Sequence, residues 1–162
     1  MLSVRKFAEG GEEIIIRIIM SLAEAKILND VMKVSNRKIA KSVKLAKRGV
    51  RRDPGKQGKL DETMIVMEEK FALTRKILKG VNTGEDLITY EFSPDEIKRM
   101  LIVLDDAIRI NKIAIARDKA ARKDSVDKYA IQDANRIVAQ ERKEALRIIL
   151  YTSLRRAGYR RR

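Results

Sequence analysis

The chain contains no cysteine, no histidine and no tryptophan. Without cysteine there is no disulfide and no thiolate chemistry. With histidine missing too, the commonest zinc sites and the Cys–His and Ser–His nucleophile pairs are excluded. Aromatic residues make up 4% of the sequence, and Tyr90, Phe92, Tyr129, Tyr151 and Tyr159 are too scattered for a platform on which successive bases stack. That argues against single-stranded nucleic acid as the main ligand. Long hydrophobic runs are also lacking. The longest, Ile14 to Met20, is broken by Arg17 and is far too short to span a bilayer. The opening stretch MLSVRKFAEGG has no apolar core of a secretory signal.

What the chain does have is positive charge, and it is local. Of its 37 basic residues, eleven lie in the stretch 33–59, KVSNRKIAKSVKLAKRGVRRDPGKQGK, against a single acid, Asp53. The C-terminal tail adds five arginines, Arg155, Arg156, Arg160, Arg161 and Arg162; the remainder is balanced at 21 basic against 22 acidic residues. A chain that is basic only for solubility spreads its lysines. A neutral body with two dense basic segments has the electrostatic footprint of a polyanion binder.

The first of those segments also has a direction. At 100° per residue on a helix, Lys33, Arg37, Lys41, Lys44 and Arg48 fall within an arc of about 80°, flanked by Lys38 and Lys47. Ile39, Val43, Ala46 and Val50 lie together on the far side. The spacing predicts one helix with an apolar back that docks on protein and a cationic front roughly 24 Å long. Surface helices normally mix signs, yet residues 33–52 contain no acid. Gly49, Pro54, Gly55 and Gly58 then predict a mobile basic loop that carries Arg51, Arg52, Lys56 and Lys59.

At 162 residues the chain is long enough for a sizeable core and for one domain, with an N-terminal helical region over 1–59 and a helical bundle over 60–162. Residues 1–11 read as a flexible lead that ends in Gly10-Gly11. From Glu12 the pattern turns helical, with Ile14, Ile15, Ile18, Ile19, Leu22, Ala25, Leu28 and Met32 at three- and four-residue steps. Ser35 and Asn36 mark an expected kink or cap, with one continuous helix over 12–48 as the alternative. A second amphipathic helix starts at Asp61 as N-cap, carries Met64, Met67, Phe71, Leu73, Ile77 and Leu78, and stops at Gly80.

After a turn and a short alternating stretch over 80–92, Ser93-Pro94-Asp95-Glu96 reads as a capping box. The helix it starts carries Ile97, Met100, Leu101, Leu104, Ile108, Asn111 and Ile115 on one face and runs to Lys123. A restart at Asp124 or Ser125 leads to the last helix, with Ala130, Ala134, Ile137, Ala145, Ile148, Ile149 and Thr152 facing inward. The chain leaves the bundle at Gly158. No strand–helix alternation is visible, so the expected fold is all-α, built of long antiparallel helices in a bundle with a basic N-terminal helical arm and loop.

Enzymatic constellations are missing or weak, and no enzyme activity, metal or cofactor is expected. The run GKQGK at 55–59 lacks the spacing of a phosphate-binding loop and no hydrophobic strand leads into it. The adjacent acids Glu68-Glu69 and Asp105-Asp106 point in different directions on a helix and read as solvated faces paired with lysines. Glu91, Asp95 and Glu96 are enough acids to surround a magnesium ion, but capping accounts for the last two. The methionines at 64, 67 and 100 occupy core-like positions.

Backbone recognition remains. Lysines and arginines on a helix and a loop, with little amide or aromatic interleaving, suit phosphate contact without base reading. The uniform Lys/Ala/Val texture of 38–50 does not suit a sequence-reading recognition helix. Two classes stay open: a packaging protein that coats duplex in many copies, and a nucleoid or RNA/ribosome-binding module. Helices apolar over more than one face, Ile14 to Met32 and Met64 to Leu78, point to self-association and favour the first.

The basic stretch KVSNRKIAKSVKLAKRGVRRDPGKQGK, the SPDE-started long helix and the Arg-rich end together resemble the all-α major coat proteins of filamentous and rod-shaped archaeal DNA viruses. The abundance of Lys, Arg, Glu and Ile resembles hyperthermophile usage. The resemblance implies a virion nucleocapsid protein whose helical arms wrap double-stranded DNA, as a homo-oligomer or as a heterodimer with a related coat protein. RNA remains open as ligand, and the cytoplasm or nucleoid as the alternative location.

Overall fold

A computed structural model describes residues 2–6, 12–121 and 130–158. Its elements are β1 (Leu2–Lys6), β2 (Glu12–Ser21), α1 (Leu22–Arg52), α2 (Gln57–Val81), β3 (Leu87–Phe92), α3 (Pro94–Ala121) and α4 (Ala130–Arg156). The protein is thus mostly helical, as expected, with a small sheet added to the four helices. The strands form an antiparallel sheet in the order β1-β2-β3, with β2 in the middle.

The sheet corrects two expectations. Residues 2–6, placed in the flexible lead, pair with Glu12–Ile16; Gly10-Gly11 lie outside the described residues. Residues 12–21, expected to open a helix, form β2, and the burial pattern gives the reason. Ile16, Ile18 and Met20 are buried while Arg17 is half-buried and Ile19 is 58% exposed. That is a period of two, and a run of β-branched isoleucines suits a pleated surface. The partner strand supplies Ile88, Tyr90 and Phe92 to the same buried face. On the other face Arg17 stands opposite Glu91 and donates to its carboxylate at 3.0 Å.

The strand passes directly into α1. Ser21 Oγ accepts the amide of Glu24 at 3.1 Å, satisfying one of the orphan donors of the first turn. The Leu22 amide donates to the Asp86 carbonyl at 3.0 Å and ties the junction to the approach to β3. Although it starts at Leu22 and not at residue 12, α1 runs unbroken through Ser35-Asn36, as in the continuous alternative. Both side chains instead join α1 to α2: Asn36 Nδ2 donates to Thr74 Oγ1 at 2.8 Å, and Lys70 Nζ donates to Ser35 Oγ at 3.1 Å.

The expected mobile loop is a tight turn. The Asp53 amide donates to the Gly49 carbonyl at 2.9 Å, and the Asp53 carboxylate accepts the Gly55 amide at 3.1 Å. One 3-10 turn, Pro54–Lys56, follows and α2 begins at Gln57. Pro54 at the start of that turn needs no amide partner, so the proline that ends one helix opens the next. Asp61 is therefore not an N-cap; it sits inside α2 and accepts from Gln57 Nε2 at 2.8 Å.

The capping box forms as expected. The Ser93 amide donates to Glu96 Oε1 at 3.0 Å, and the Glu96 amide donates to Ser93 Oγ at 3.2 Å. Ile97, Met100, Leu104 and Ile108 are buried along α3, again as expected. The inward face of α4 is different. Ile149 packs against the core as expected and Thr152 is half-buried, but Leu146, Leu150 and Leu154 are the buried residues, while Ile148 is 61% exposed and Ala134, Ile137 and Ala145 are exposed. Both stripes of α4 are apolar, and the leucines are the ones turned toward the cluster that includes Ile97, Met100 and Leu104. The proposed restart at Asp124 or Ser125 lies outside the described residues.

One continuous core joins the sheet to all four helices: Ile16, Met20, Leu28, Met32, Leu73, Ile77, Phe92, Met100, Leu104, Leu146 and Leu150 belong to it. It draws residues from both sides of position 59/60, and that position falls inside α2. Each such side chain stabilises the fold by about 1.5–3 kcal/mol relative to exposure. Tyr90 shows how closely the parts fit. Its hydroxyl donates to the Ile77 carbonyl at 2.6 Å, and a Cβ on Gly80 would stand 2.3 Å from that hydroxyl oxygen. Glycine at 80 leaves room for the tyrosine.

Candidate nucleic-acid interface

The basic stretch occupies the distal half of the α1–α2 hairpin. The core takes Ala25, Leu28, Val31 and Met32 from α1, and Leu73 and Ile77 from α2. Between Met32 and Leu73 the buried apolar side chains are Val43 and Leu60, where the two helices pack on one another. The polar ties at Ser35, Asn36, Lys70 and Thr74 hold the middle of the hairpin together.

On this rod the two faces separate as the periodicity predicts. Val43 is buried and Ile39, Ala46 and Val50 are half-buried. Lys33, Arg37, Lys38, Lys41, Lys44, Lys47, Arg48, Arg51, Arg52, Lys56 and Lys59 are all exposed. The last four cluster around Asp53, where α1 ends and α2 begins. Arg51 and Arg52 sit in the last turn of α1, where they also complement the negative end of the helix dipole. Acids return on α2 with Asp61 and Glu62.

Lys26 was missed by the reading of 33–59. It is exposed two turns before the stretch and within the same arc, but Asp30 lies beside it and interrupts the run of one sign. The signal was present in the helical spacing once the strand–helix junction at Ser21 is known.

Two basic segments were identified, and the structure does not bring them together. Arg155 and Arg156 are exposed in the last turn of α4; Arg160, Arg161 and Arg162 lie outside the described residues. Leu150 and Leu154, which precede the pair, belong to the core cluster that also holds residues of β2 and of the first turns of α1. The hairpin tip is at the other end of α1.

Five of the seven acids considered for chemistry are engaged elsewhere. Glu91 pairs with Arg17, and Glu96 caps α3 and accepts from Lys76 Nζ at 3.1 Å. Asp105 pairs with Arg147, Glu69 with Arg99, and Asp106 with Arg109 at 3.3 Å. Among the described residues no group of three acids is placed to hold a metal ion. No helix among them is long and apolar enough to cross a membrane. Tyr90 and Phe92, two of the scattered aromatics, are stacked on each other in the core with ring centroids 5.2 Å apart.

Apolar side chains remain outside the core. Leu45 is 65% exposed on α1, and Ile65, Ile102, Ile110, Ile113 and Ile148 are exposed on the other helices. A groove of about 500 Å³ runs between α1, α3 and α4, floored by Val31, Val34, Val103, Ala107 and Ile110. Comparison with known proteins finds no family model that matches this chain, and no similar curated protein or solved structure.

Proposed function

We propose that the protein is a structural DNA-binding protein that coats double-stranded nucleic acid through sequence-independent phosphate contacts, as the major coat protein of a helical filament does. One observation carries this reading: all eleven lysines and arginines of residues 33–59 are exposed, while Val43 is buried and Ile39, Ala46 and Val50 are half-buried on the opposite face. A face of one sign on a rod anchored in a neutral body is suited to lie along a line of phosphates. In this reading the distal hairpin is the basic arm, the core end of the four helices is the bundle, and the virion is where the protein acts. The exposed Ile102, Ile113 and Ile148 supply surface on which copies, or a related chain, meet.

A second reading, a nucleoid or RNA-binding module, is favoured by the capped turn at Asp53. A stiff hairpin inserts into a groove as a unit, whereas a wrapping arm must bend. Two measurements test the proposal. Binding to duplex DNA is expected to be indifferent to sequence, with a log–log salt slope of about −7 to −9 for about eight to ten phosphate contacts. A slope shallower than about −3 overturns phosphate coating. Sedimentation of the complexes then separates the readings: coating gives extended particles whose duplex resists nuclease, and the module gives a small complex of fixed size with the duplex still open.

A further inference from the structure

From Ala145 to the end, the sequence holds six arginines and no acid. Arg147 is paired with Asp105, but Arg155 and Arg156 extend from α4 into solvent. The core fixes where they stand. Leu150 and Leu154 belong to the same core cluster as Ile16, Ile18 and Met20 of β2 and Ala25 and Leu28 of α1, and the pairs Arg136–Asp118 and Arg147–Asp105 run α4 antiparallel to α3, toward the sheet end of the core. The end of α4 is therefore beside the start of α1, and Arg52 lies about 45 Å away at 1.5 Å per residue.

The two basic surfaces also face differently. α1 turns Leu28 and Met32 to the core and Lys33, Arg37 and Lys41 to solvent, while α4 turns Leu150 and Leu154 to that same core and its arginines outward. A straight duplex seated on α1 does not reach both. Bending it around the core works against a persistence length of roughly 50 nm, about ten times the length of α1, whereas a second duplex needs no bending. The ordinary role of arginines in a last helical turn, complementing the dipole, engages the carbonyl end and leaves their outward donors available.

We infer that the protein bridges two duplex segments, one along α1 and the hairpin tip and the other at the Arg155–Arg156 end of α4. The inference rests on the proposed DNA-binding function, and one assay separates the two. A duplex is fixed to beads, the full-length protein is added, and capture of a second, labelled duplex is measured beside the affinity for a single duplex in solution. The wild-type protein is expected to capture the second duplex. R155E/R156E should lower capture by at least about ten-fold while weakening single-duplex affinity by less than about three-fold, and R155K/R156K should restore capture. K41E/K44E should lose both. Capture by R155E/R156E at the wild-type level overturns the inference, as does a wild-type protein that binds one duplex tightly and captures no second. An affinity loss as large as the capture loss means that both ends grip one bent duplex, and bridging is again overturned. A wild-type protein that binds no duplex at all removes the proposed function first, and bridging with it.

Discussion

The two ends of α1 are held in opposite ways. At its start, the helix is enclosed by the sheet, α2, α3 and α4, and Ala25, Leu28 and Met32 have no exposed surface. At its far end it packs on α2, and Val43 is the one buried residue after Met32. The near end is specified by packing, with few charges and many partners. The far end is specified by helical period, one capped turn and a row of side chains whose surroundings are water. The comparison teaches that stability and charge are carried by separate parts of one helix, so each can be altered with little cost to the other.

The largest effect is expected where packing dominates. Phe92→Ala removes a fully buried ring stacked on Tyr90 and should cost about 3–5 kcal/mol, read as a fall in the denaturant midpoint. Val43→Ala should cost only about 1–2 kcal/mol and loosen hydrogen-exchange protection at the hairpin tip before anywhere else. Equal global losses for the two would erase the distinction between the ends. Next in size, Lys41→Glu with Lys44→Glu should weaken duplex binding on the order of 100-fold with helicity and melting temperature nearly unchanged. A matching loss of fold would show that this face is structural.

Gly80→Ala sharpens the near end. The added Cβ meets the Tyr90 ring, whose Cζ would be 2.5 Å away, and overpacking of that kind should cost about 1–3 kcal/mol. Duplex affinity should not move. The smallest effect is a pH dependence. Burial raises the pKa of the Tyr90 hydroxyl above its ordinary 10.0, so the folded protein keeps this proton when the unfolded chain has lost it. Its contribution is present below pH 10.0 and is lost as pH rises from there through the raised value. Tyr90→Phe should flatten that part of the stability curve, measured by denaturant unfolding against wild type.

What was legible in the sequence follows the same division. The capping box at Ser93 and the cationic face of 33–50 depend on neighbours within one or two turns, so local spacing sufficed to read them. The strand at 12–21 depends on Ile88, Tyr90 and Phe92, some seventy residues away, and Ile14, Ile15, Ile18 and Ile19 satisfy a helical template as well as an alternating one. On α4, Ile137, Ala145 and Ile148 form a stripe as apolar as Leu146, Leu150 and Leu154, and only the tertiary partner decides between them. The turn at Asp53 was misread because proline and glycine signal a break without giving its length. Here the break is a single 3-10 turn, closed by the Asp53 carboxylate.

That closed turn, with α1 unbroken from Leu22 to Arg52, makes the hairpin a ruler. Its reach is set by residue count and not by chain flexibility, so whatever is held at the tip stands at a fixed height above the sheet. The height is adjustable in whole steps. Seven residues inserted into α1 and seven into α2, on either side of the tip, keep every face in phase and raise it by about 10 Å. A regular assembly of this protein would inherit that length as the spacing between its shell and what it encloses.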